Sequence, residues 1–235
     1  MTTPSRPDPL PRVLIVLTVT TGLVDAVSVL GLGRVFTANM TGNIVFLGFA
    51  VAGMPGFSMA RAVVSLAGFV VGAMLGGYLG VTMAGMARRR WLLSVAVVEA
   101  GLLFVAAWVA IGYDIVTLTP VPTLYALIVL TAVAMGLRNA TVRQLAVPDL
   151  TTTVLTLTLT GIAADSVPAG GHNPRLGRRL AAVLAIFAGS AVGAGLVTLG
   201  GLALPLVVTG ACILLVTGAY AMHPASKAVS SDAQH

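Results

Sequence analysis

Charged side chains are scarce in this sequence. Only 9% of its 235 residues are Asp, Glu, Lys or Arg, whereas 57% are hydrophobic, and the mean hydropathy is +1.02. A water-soluble domain carries roughly a quarter charged residues, because its surface must be hydrated. The composition therefore excludes an ordinary soluble domain and predicts a chain whose outer surface faces lipid.

Cysteine and histidine are also scarce. Cys212 is the single cysteine, which excludes an intramolecular disulfide and a cysteine-rich metal centre. His172, His223 and His235 fall in loops or in the tail, so an intramembrane metalloprotease with an H-E-x-x-H helix and a rhomboid-like serine–histidine pair are both excluded. An aspartyl protease needs two facing aspartates; only Asp25 is deep, although Glu99 could act as its partner. We therefore expect no enzymatic activity, no metal and no cofactor.

The positive net charge has a topological explanation. The chain carries a formal charge of +6 and has a pI near 10.5, which in a soluble protein would suggest nucleic acid as a partner. Here the arginines sit in short loops beside apolar runs, as expected for residues that set membrane topology. The predicted partner is therefore the lipid bilayer and not a nucleic acid.

Eight apolar segments follow one another along the chain. Their runs are continuous and lack the alternation of barrel strands, so helices are predicted. About 20 residues of helix span the hydrocarbon core, and six segments reach that length. The predicted fold is an all-α polytopic membrane bundle with six full spans and two shorter polar segments, the second and the sixth, that re-enter the membrane. The segments cover residues 12–31, 35–54, 60–84, 91–112, 119–138, 150–165, 178–199 and 202–222.

The distribution of basic residues favours six spans. With cytoplasmic termini and two non-crossing polar segments, the inside holds 11 basic residues and the outside 2. Eight crossings give 7 against 6, whereas a seven-span variant with an external N-terminus gives 10 against 3. The positive-inside rule therefore predicts a bacterial inner-membrane protein with both termini in the cytoplasm. Residues 1–11 and 223–235 are predicted to be disordered.

An internal repeat divides the chain into two membrane units, residues 12–112 and 119–222. Residues 22–26 (GLVDA) resemble residues 136–140 (GLRNA), at an offset of 114. Two units of three crossings each must be inverted relative to one another, an arrangement that recurs in transporters with substrate sites at the repeat interface. Further matches at offsets of 114 or 115 are Thr37 with Thr152, Thr41 with Thr156, and Arg61 with Arg175.

Two acidic residues lie inside apolar segments. Asp25 is in the first and Glu99 in the fourth, where an ionisable group is costly unless it faces protein or a water-filled cavity. One interpretation is a proton or cation site; the other is a neutral acid that hydrogen-bonds a neighbouring helix. Asn139 stands at the repeat position of Asp25, and we assign it to the same pathway.

The second segment begins with an unusual polar motif, residues 38–43 (ANMTGN). Asn39, Thr41 and Asn43 can satisfy backbone groups where a helix breaks, so the motif predicts a re-entrant stretch that lines a cavity. The alternative is a helix N-cap formed by Thr37 or Asn39.

The sixth segment carries a threonine stripe. Thr152, Thr156 and Thr160 share one helical face, which could line a polar path or join helices by hydrogen bonds.

Small residues recur at every fourth position in the third and seventh segments. They predict close helix packing, either inside the chain or across a homodimer. The glycines concerned are Gly68, Gly72, Gly76, Gly80, Gly189 and Gly193.

Several arginines lie at the ends of the apolar runs. Residues 88–90 (RRR) are predicted to anchor a helix at the cytoplasmic surface. Arg138, Arg143 and Asp149 are predicted to be solvated groups that set topology, with the lining of a cytoplasmic vestibule as the alternative.

Two longer stretches carry a family resemblance. Residues 22–48 (GLVDAVSVLGLGRVFTANMTGNIVFLG) and 135–156 (MGLRNATVRQLAVPDLTTTVLT) resemble the YoaK family of bacterial membrane proteins. The resemblance covers residues 12 to 222 and implies about six spans, but it implies no activity. The inverted units, the two intramembrane acids and the paired polar segments predict a small-solute transporter or channel, with a proton or small molecule as substrate; the alternative is a non-transporting assembly or regulatory protein.

Overall fold

The computed structural model describes residues 8–147 and 155–228. Within those ranges, the regular structure is entirely helical. Eight α-helices are joined by short loops, and 3₁₀ turns occur at Val167–Ala169 and Pro224–Lys227. The α-helices are α1 Leu10–Gly31, α2 Met40–Val51, α3 Met59–Thr82, α4 Arg88–Val109, α5 Val121–Leu145, α6 Leu155–Ala164, α7 Leu176–Gly200 and α8 Ala203–Met222.

Six of these helices are long and apolar enough to cross a membrane, namely α1, α3, α4, α5, α7 and α8. Each has 20 to 25 residues, a length of at least about 30 Å at the usual helical rise. The predicted all-α bundle with six spans is confirmed. By contrast, α2 has 12 residues and the described part of α6 has 10.

Helix α5 is longer than its apolar run suggested. The hydrophobic stretch was placed at 119–138, but the helix continues to Leu145. Hydropathy falls at Arg138 and Arg143, so the sequence alone placed the end of the span too early.

Several helix ends meet at one face of the bundle, which we call the Arg88 face. The Arg88 guanidinium lies 3.0 Å from the Asp8 carboxylate, and its backbone N–H donates to the Ala228 carbonyl at 2.9 Å. Leu10, at the start of α1, and Leu145, at the end of α5, line one cavity at this same end. The two sequence-related helices α1 and α5 therefore run in opposite directions.

The opposite end of the bundle is the Tyr113 face. The Tyr113 hydroxyl, just after α4, donates to the carbonyl of Gly31 at the end of α1. Gly33 lies against the side chain of Arg61, near the start of α3. Because α1 ends and α3 begins at this face, α2 connects them without crossing: its 12 residues measure about 18 Å, less than the hydrocarbon thickness.

The contacts between the helices have the symmetry of an inverted repeat. α1 packs on α7 and α8, and α5 packs on α3 and α4; α2 rests on α3, and α6 on α7. Exchanging α1 with α5, α2 with α6, α3 with α7 and α4 with α8 leaves this pattern unchanged. The two units are therefore interleaved, since α1 of the first unit makes extensive contact with α7 of the second.

Glycine contacts set the register of the repeat. A Cβ atom on Gly72 would collide with the Val133 carbonyl, and one on Gly189 with the Val19 carbonyl. The offset is therefore 114 between α1 and α5, but 117 between α3 and α7. Arg61 consequently corresponds to Arg178, so its predicted pairing with Arg175 was wrong because three additional residues separate α7 from α5.

The same contacts place the small-residue ladders inside the chain. Gly68, Gly72, Gly76 and Gly80 are buried against α5, and Gly189 and Gly193 are buried against α1. These faces are already covered, so they offer no surface to a second copy of the chain.

Candidate functional site

A buried ion pair joins the two repeat units. Glu99 lies on α4 of the first unit and Arg138 on α5 of the second, and the Arg138 Nε contacts Glu99 Oε1. Both residues are only 2% exposed. The predicted solvated, topology-setting role of Arg138 is therefore wrong, since its guanidinium is directed into the bundle and faces a carboxylate.

Arg138 also binds the backbone of α1. Its Nη1 donates to the Leu17 carbonyl and to the Thr21 hydroxyl, both at 3.1 Å. The Thr21 hydroxyl in turn donates to the Leu17 carbonyl. One guanidinium thus connects α1, α4 and α5, which the sequence places in two different units.

The pair lies deep in the bundle. Glu99 is about 16 Å along a helix of about 33 Å, and Arg138 is about 10 Å from the end of α5, by helical rise. Charges at such depth are costly unless they are paired, and a buried pair contributes little net stability compared with apolar packing. This arrangement is more typical of a functional site than of a structural one.

A cavity extends from the ion pair toward the Arg88 face. Its volume is about 30 Å³, which is enough for about two waters or a small polar group. Four helices surround it: the first halves of α1 and α4 and the last halves of α5 and α8. Its lining includes Leu10, Leu14, Val95, Glu99, Arg138, Thr141, Leu145, Ile213 and Thr217.

The repeat-related region at the Tyr113 face is filled by side chains. Leu10 and Leu14 of the cavity correspond, at offset 114, to Leu124 and Ile128, which are buried in the main hydrophobic cluster. Thr141 corresponds in the same way to Val27, another member of that cluster. Leu10 and Leu14 are also buried in a hydrophobic cluster, so the difference between the two sides is the small cavity, which lies on the Arg88 side.

Asp25 and Asn139 occupy equivalent, half-buried positions on α1 and α5. Neither residue lines the cavity. The Asn139 amide donates to the Met135 carbonyl at 2.8 Å, whereas Asp25 Oδ1 is buried without a hydrogen-bond partner among the described residues. Of the two predicted pathway acids, Glu99 lines the cavity and Asp25 does not.

The ANMTGN motif forms a clamp near the Tyr113 face. Asn43 is fully buried; its amide donates to the Phe36 carbonyl at 2.6 Å and to the Ser65 hydroxyl at 3.1 Å, and its Oδ1 accepts from the Phe36 N–H. Asn39 caps α2 by accepting from the Gly42 N–H. Thr41 is exposed. This geometry fixes α2 onto α3, and no residue of the motif lines the cavity at Glu99.

The second polar segment is only partly described. Thr152 lies outside the described residues, and Thr156 and Thr160 are exposed, whereas Thr158 is buried. Arg179 of α7 holds α6 through the Gly161 carbonyl and the Asp165 carboxylate, at 2.6 and 2.7 Å. The described threonines of the stripe, Thr156 and Thr160, therefore do not line the cavity at Glu99 and Arg138.

Two groups in the α4–α5 loop have shifted pKa values. Partial burial raises the pKa of Tyr113 to about 12, so the phenol keeps the proton that it donates to Gly31. A hydrogen bond from the Val116 N–H, with others from Thr117, lowers the pKa of Asp114. In the described ranges, no group of three His, Cys, Asp or Glu residues could hold a metal ion.

Sequence reasoning assigned Arg138 mainly to the solvated surface and missed two further contributors to the site, Thr21 and Thr217. A usable signal existed for Arg138. The buried positions of α5 recur every three or four residues, from Leu124 through Thr131 to Arg138 and on to Val142, so helical periodicity places the arginine on the core face. Thr21 and Thr217 resemble the other threonines in apolar helices and carried no such signal.

These features define a class: a polytopic α-helical membrane protein with inverted repeats and a polar centre at their interface. The chain belongs to the family "Protein of unknown function (DUF1275)", whose sequence profile matches residues 13–219. It is similar to the "UPF0700 transmembrane protein YoaK" of Bacillus subtilis (strain 168), with 35% identity over 156 residues. That match covers 65% of this chain and 65% of the relative. The expected YoaK-family membership is confirmed, and no solved structure matches.

Proposed function

We propose that this chain is a transporter of a small solute, and not an enzyme, in the bacterial inner membrane. The solute reaches Glu99 and Arg138 from the Arg88 face, and rearrangement of the two units then exposes the same site to the Tyr113 face. Inverted repeats support this mechanism, because two related units can exchange conformations around a fixed central site.

One observation carries the proposal. The cavity on the Arg88 side is lined by residues whose repeat equivalents close the Tyr113 side, such as Leu14 and Ile128. If the units exchanged conformations, the tight packing around Ile128 would open and the space around Leu14 would close. The interleaved helix pairs α1–α7 and α3–α5 are suitable rigid bodies, because their backbones are in close contact at the glycines.

The orientation follows from the charges at the two faces. Arg88, Arg89 and Arg90 lie at the Arg88 face, whereas Arg34 and Arg61 lie near the Tyr113 face. Arg138 is buried and is left out of this count, but the excess of basic residues on the Arg88 side remains large. The Arg88 face, where α1 begins and α8 ends, is therefore assigned to the cytoplasm.

Paired cysteine labelling tests the mechanism. In a Cys212→Ser background, Leu14→Cys and Ile128→Cys place thiols at equivalent positions in the two units. Labelling with a membrane-impermeant maleimide is compared in right-side-out and inverted vesicles. We expect Leu14→Cys to react from the Arg88 face and Ile128→Cys to react, more slowly, from the Tyr113 face.

The reactivities must also change reciprocally. Conditions that slow labelling of Leu14→Cys should accelerate labelling of Ile128→Cys. Labelling in denaturant is the control that both thiols are present and reactive. An Ile128→Cys that reacts only after denaturation, beside a reactive Leu14→Cys, would contradict alternating access and favour a static assembly or regulatory protein.

A further inference from the structure

Arg138 has hydrogen-bonding capacity that the protein leaves unused. Its Nε faces Glu99, and its Nη1 is occupied by Leu17 and Thr21. Its Nη2 is buried and has no hydrogen-bond partner among the described residues. A buried N–H group without a partner is unfavourable, and more so when it is charged, so this group, on a residue that lines the cavity, indicates a missing acceptor.

The cavity beside Arg138 limits the size and character of that acceptor. Its volume of about 30 Å³ accommodates a group the size of about two waters. The wall is otherwise apolar, with Leu14, Val95 and Ile213, and Thr141 and Thr217 contribute hydroxyl-bearing side chains. A planar carboxylate with a short aliphatic tail fits both the guanidinium and the apolar wall. Guanidinium groups bind carboxylates through a matching fork of donors, and the tail would contact the apolar side chains.

Charge balance connects this anion to a proton. Glu99 and Arg138 are neutral as a pair, so an added anion would leave a net negative charge deep in the bundle, which is unfavourable. Uptake of one proton by Glu99 restores neutrality and frees the guanidinium for the new carboxylate. Among the described residues, two other titratable groups are relevant here: the Cys212 thiol on α8, which Arg138 influences electrostatically, and Asp25 on α1, which does not line the cavity.

We propose that Arg138 binds a short-chain monocarboxylate and that Glu99 takes up one proton when the anion binds. The anion enters through the cavity from the Arg88 face and replaces Glu99 at the guanidinium. No covalent bond forms or breaks except that of the proton to Glu99. This inference rests on the proposed transport function, because it names the substrate class of the same site; the cargo would be an anion together with a proton, with no net charge.

Calorimetric titration of the full-length protein in detergent tests the proposal, with acetate as the probe. Titrations in two buffers of different ionisation enthalpy report the protons taken up for each acetate bound. We expect about one proton for each acetate, an affinity that falls as the pH rises, and no binding of methylammonium, a cation of similar size.

The variants separate the two roles. Arg138→Gln should weaken acetate binding at least ten-fold, whereas Glu99→Gln should bind acetate without proton uptake and with little dependence on pH. Arg179→Gln removes another buried arginine that contacts a carboxylate, away from the cavity, and should leave binding unchanged. If Arg138→Gln does not fold, the double variant Glu99→Gln/Arg138→Gln removes both charges and should also fail to bind acetate.

Each result has a defined consequence. Acetate binding that survives in the double variant, or that is lost equally in Arg179→Gln, would overturn the assignment to Arg138. Binding without proton uptake would overturn the role of Glu99. Absence of acetate binding in a folded protein that still shows reciprocal cysteine labelling would remove the anion site but leave transport intact. Acetate binding without reciprocal labelling would support the site and contradict transport.

Discussion

Arg138 occupies the position in the second repeat unit that Val24 occupies in the first. The two residues are related by the offset of 114 that aligns α5 with α1, and both are buried. A valine suffices at this depth for helix packing, so the repeat architecture itself does not require the arginine. The polar centre is therefore a departure from symmetry, and it lies on the side of the bundle that contains the cavity.

The Glu99–Arg138 pair should show strong energetic coupling. Removing one partner leaves an uncompensated buried charge, which typically costs about 3–5 kcal/mol. We expect Glu99→Gln and Arg138→Gln each to lower the melting temperature strongly, and the double variant to recover much of the loss. Thermal unfolding in detergent, followed by size-exclusion chromatography, measures the cycle. Additive losses in the double variant would show that the two side chains do not interact.

The glycine ladders should tolerate no added methyl group at the helix crossings. A Cβ on Gly72 would collide with the Val133 carbonyl, and one on Gly189 with the Val19 carbonyl. We expect Gly72→Ala and Gly189→Ala each to destabilise the protein by more than about 1 kcal/mol, because backbones must separate. Gly77 and Gly195 lie on the same helices with nothing within 4 Å of an added Cβ. Gly77→Ala and Gly195→Ala should therefore leave the melting temperature unchanged or slightly raised.

The sequence was sufficient to predict the six spans and the repeat, for a physical reason. Lipid requires long apolar helices, and helix crossings at close range require small residues every fourth position. Both requirements act on residue type alone, so Gly68 to Gly80 could be interpreted without knowing their partners. The partners themselves were not predictable, because the ladder pattern is the same for an intramolecular and an intermolecular contact.

The polar centre was harder to predict. A charged residue lowers the hydropathy of a segment, so Arg138 was interpreted as the end of a span. Hydropathy carries no information about its counter-ion, which lies on another helix. Glu99 was recognised as deep, but its partner is 39 positions away and depends on how α4 meets α5. The ANMTGN motif was instead assigned too much functional weight. Its composition is exceptional, but Asn43 hydrogen-bonds the local backbone of Phe36 and does not line the cavity.

Asn43 should be essential for the attachment of α2. It bonds both backbone groups of Phe36 and the Ser65 hydroxyl on α3. Ser65 also donates to the Phe36 carbonyl, so Asn43→Ala would leave the Phe36 N–H without its partner, at a cost of roughly 1–3 kcal/mol. We expect faster hydrogen exchange and new proteolytic sites in residues 33–58. Thr41→Ala, at an exposed position two residues earlier, is the matched control. Equal protection in both variants would mean that the clamp is dispensable.

Asp25 provides a test that separates stability from function. Its equivalent Asn139 donates its amide to the carbonyl four residues earlier, Met135. In Asp25→Asn, the new amide can donate to the Thr21 carbonyl in the same geometry, and the buried oxygen that lacks a partner no longer belongs to an acid. We therefore expect Asp25→Asn to raise the melting temperature, and the mirror variant Asn139→Asp to lower it.

The outcome also decides what Asp25 does in the native protein. An acid that is kept where an amide would be more stable is retained for its ability to ionise, and reciprocal cysteine labelling in Asp25→Asn should then be slowed while the fold is intact. If Asp25→Asn instead lowers the melting temperature, the carboxylate has a stabilising partner such as a bound water or ion, and a purely structural role follows. Asp25→Ala, which removes the polar group altogether, distinguishes loss of a partner from loss of charge.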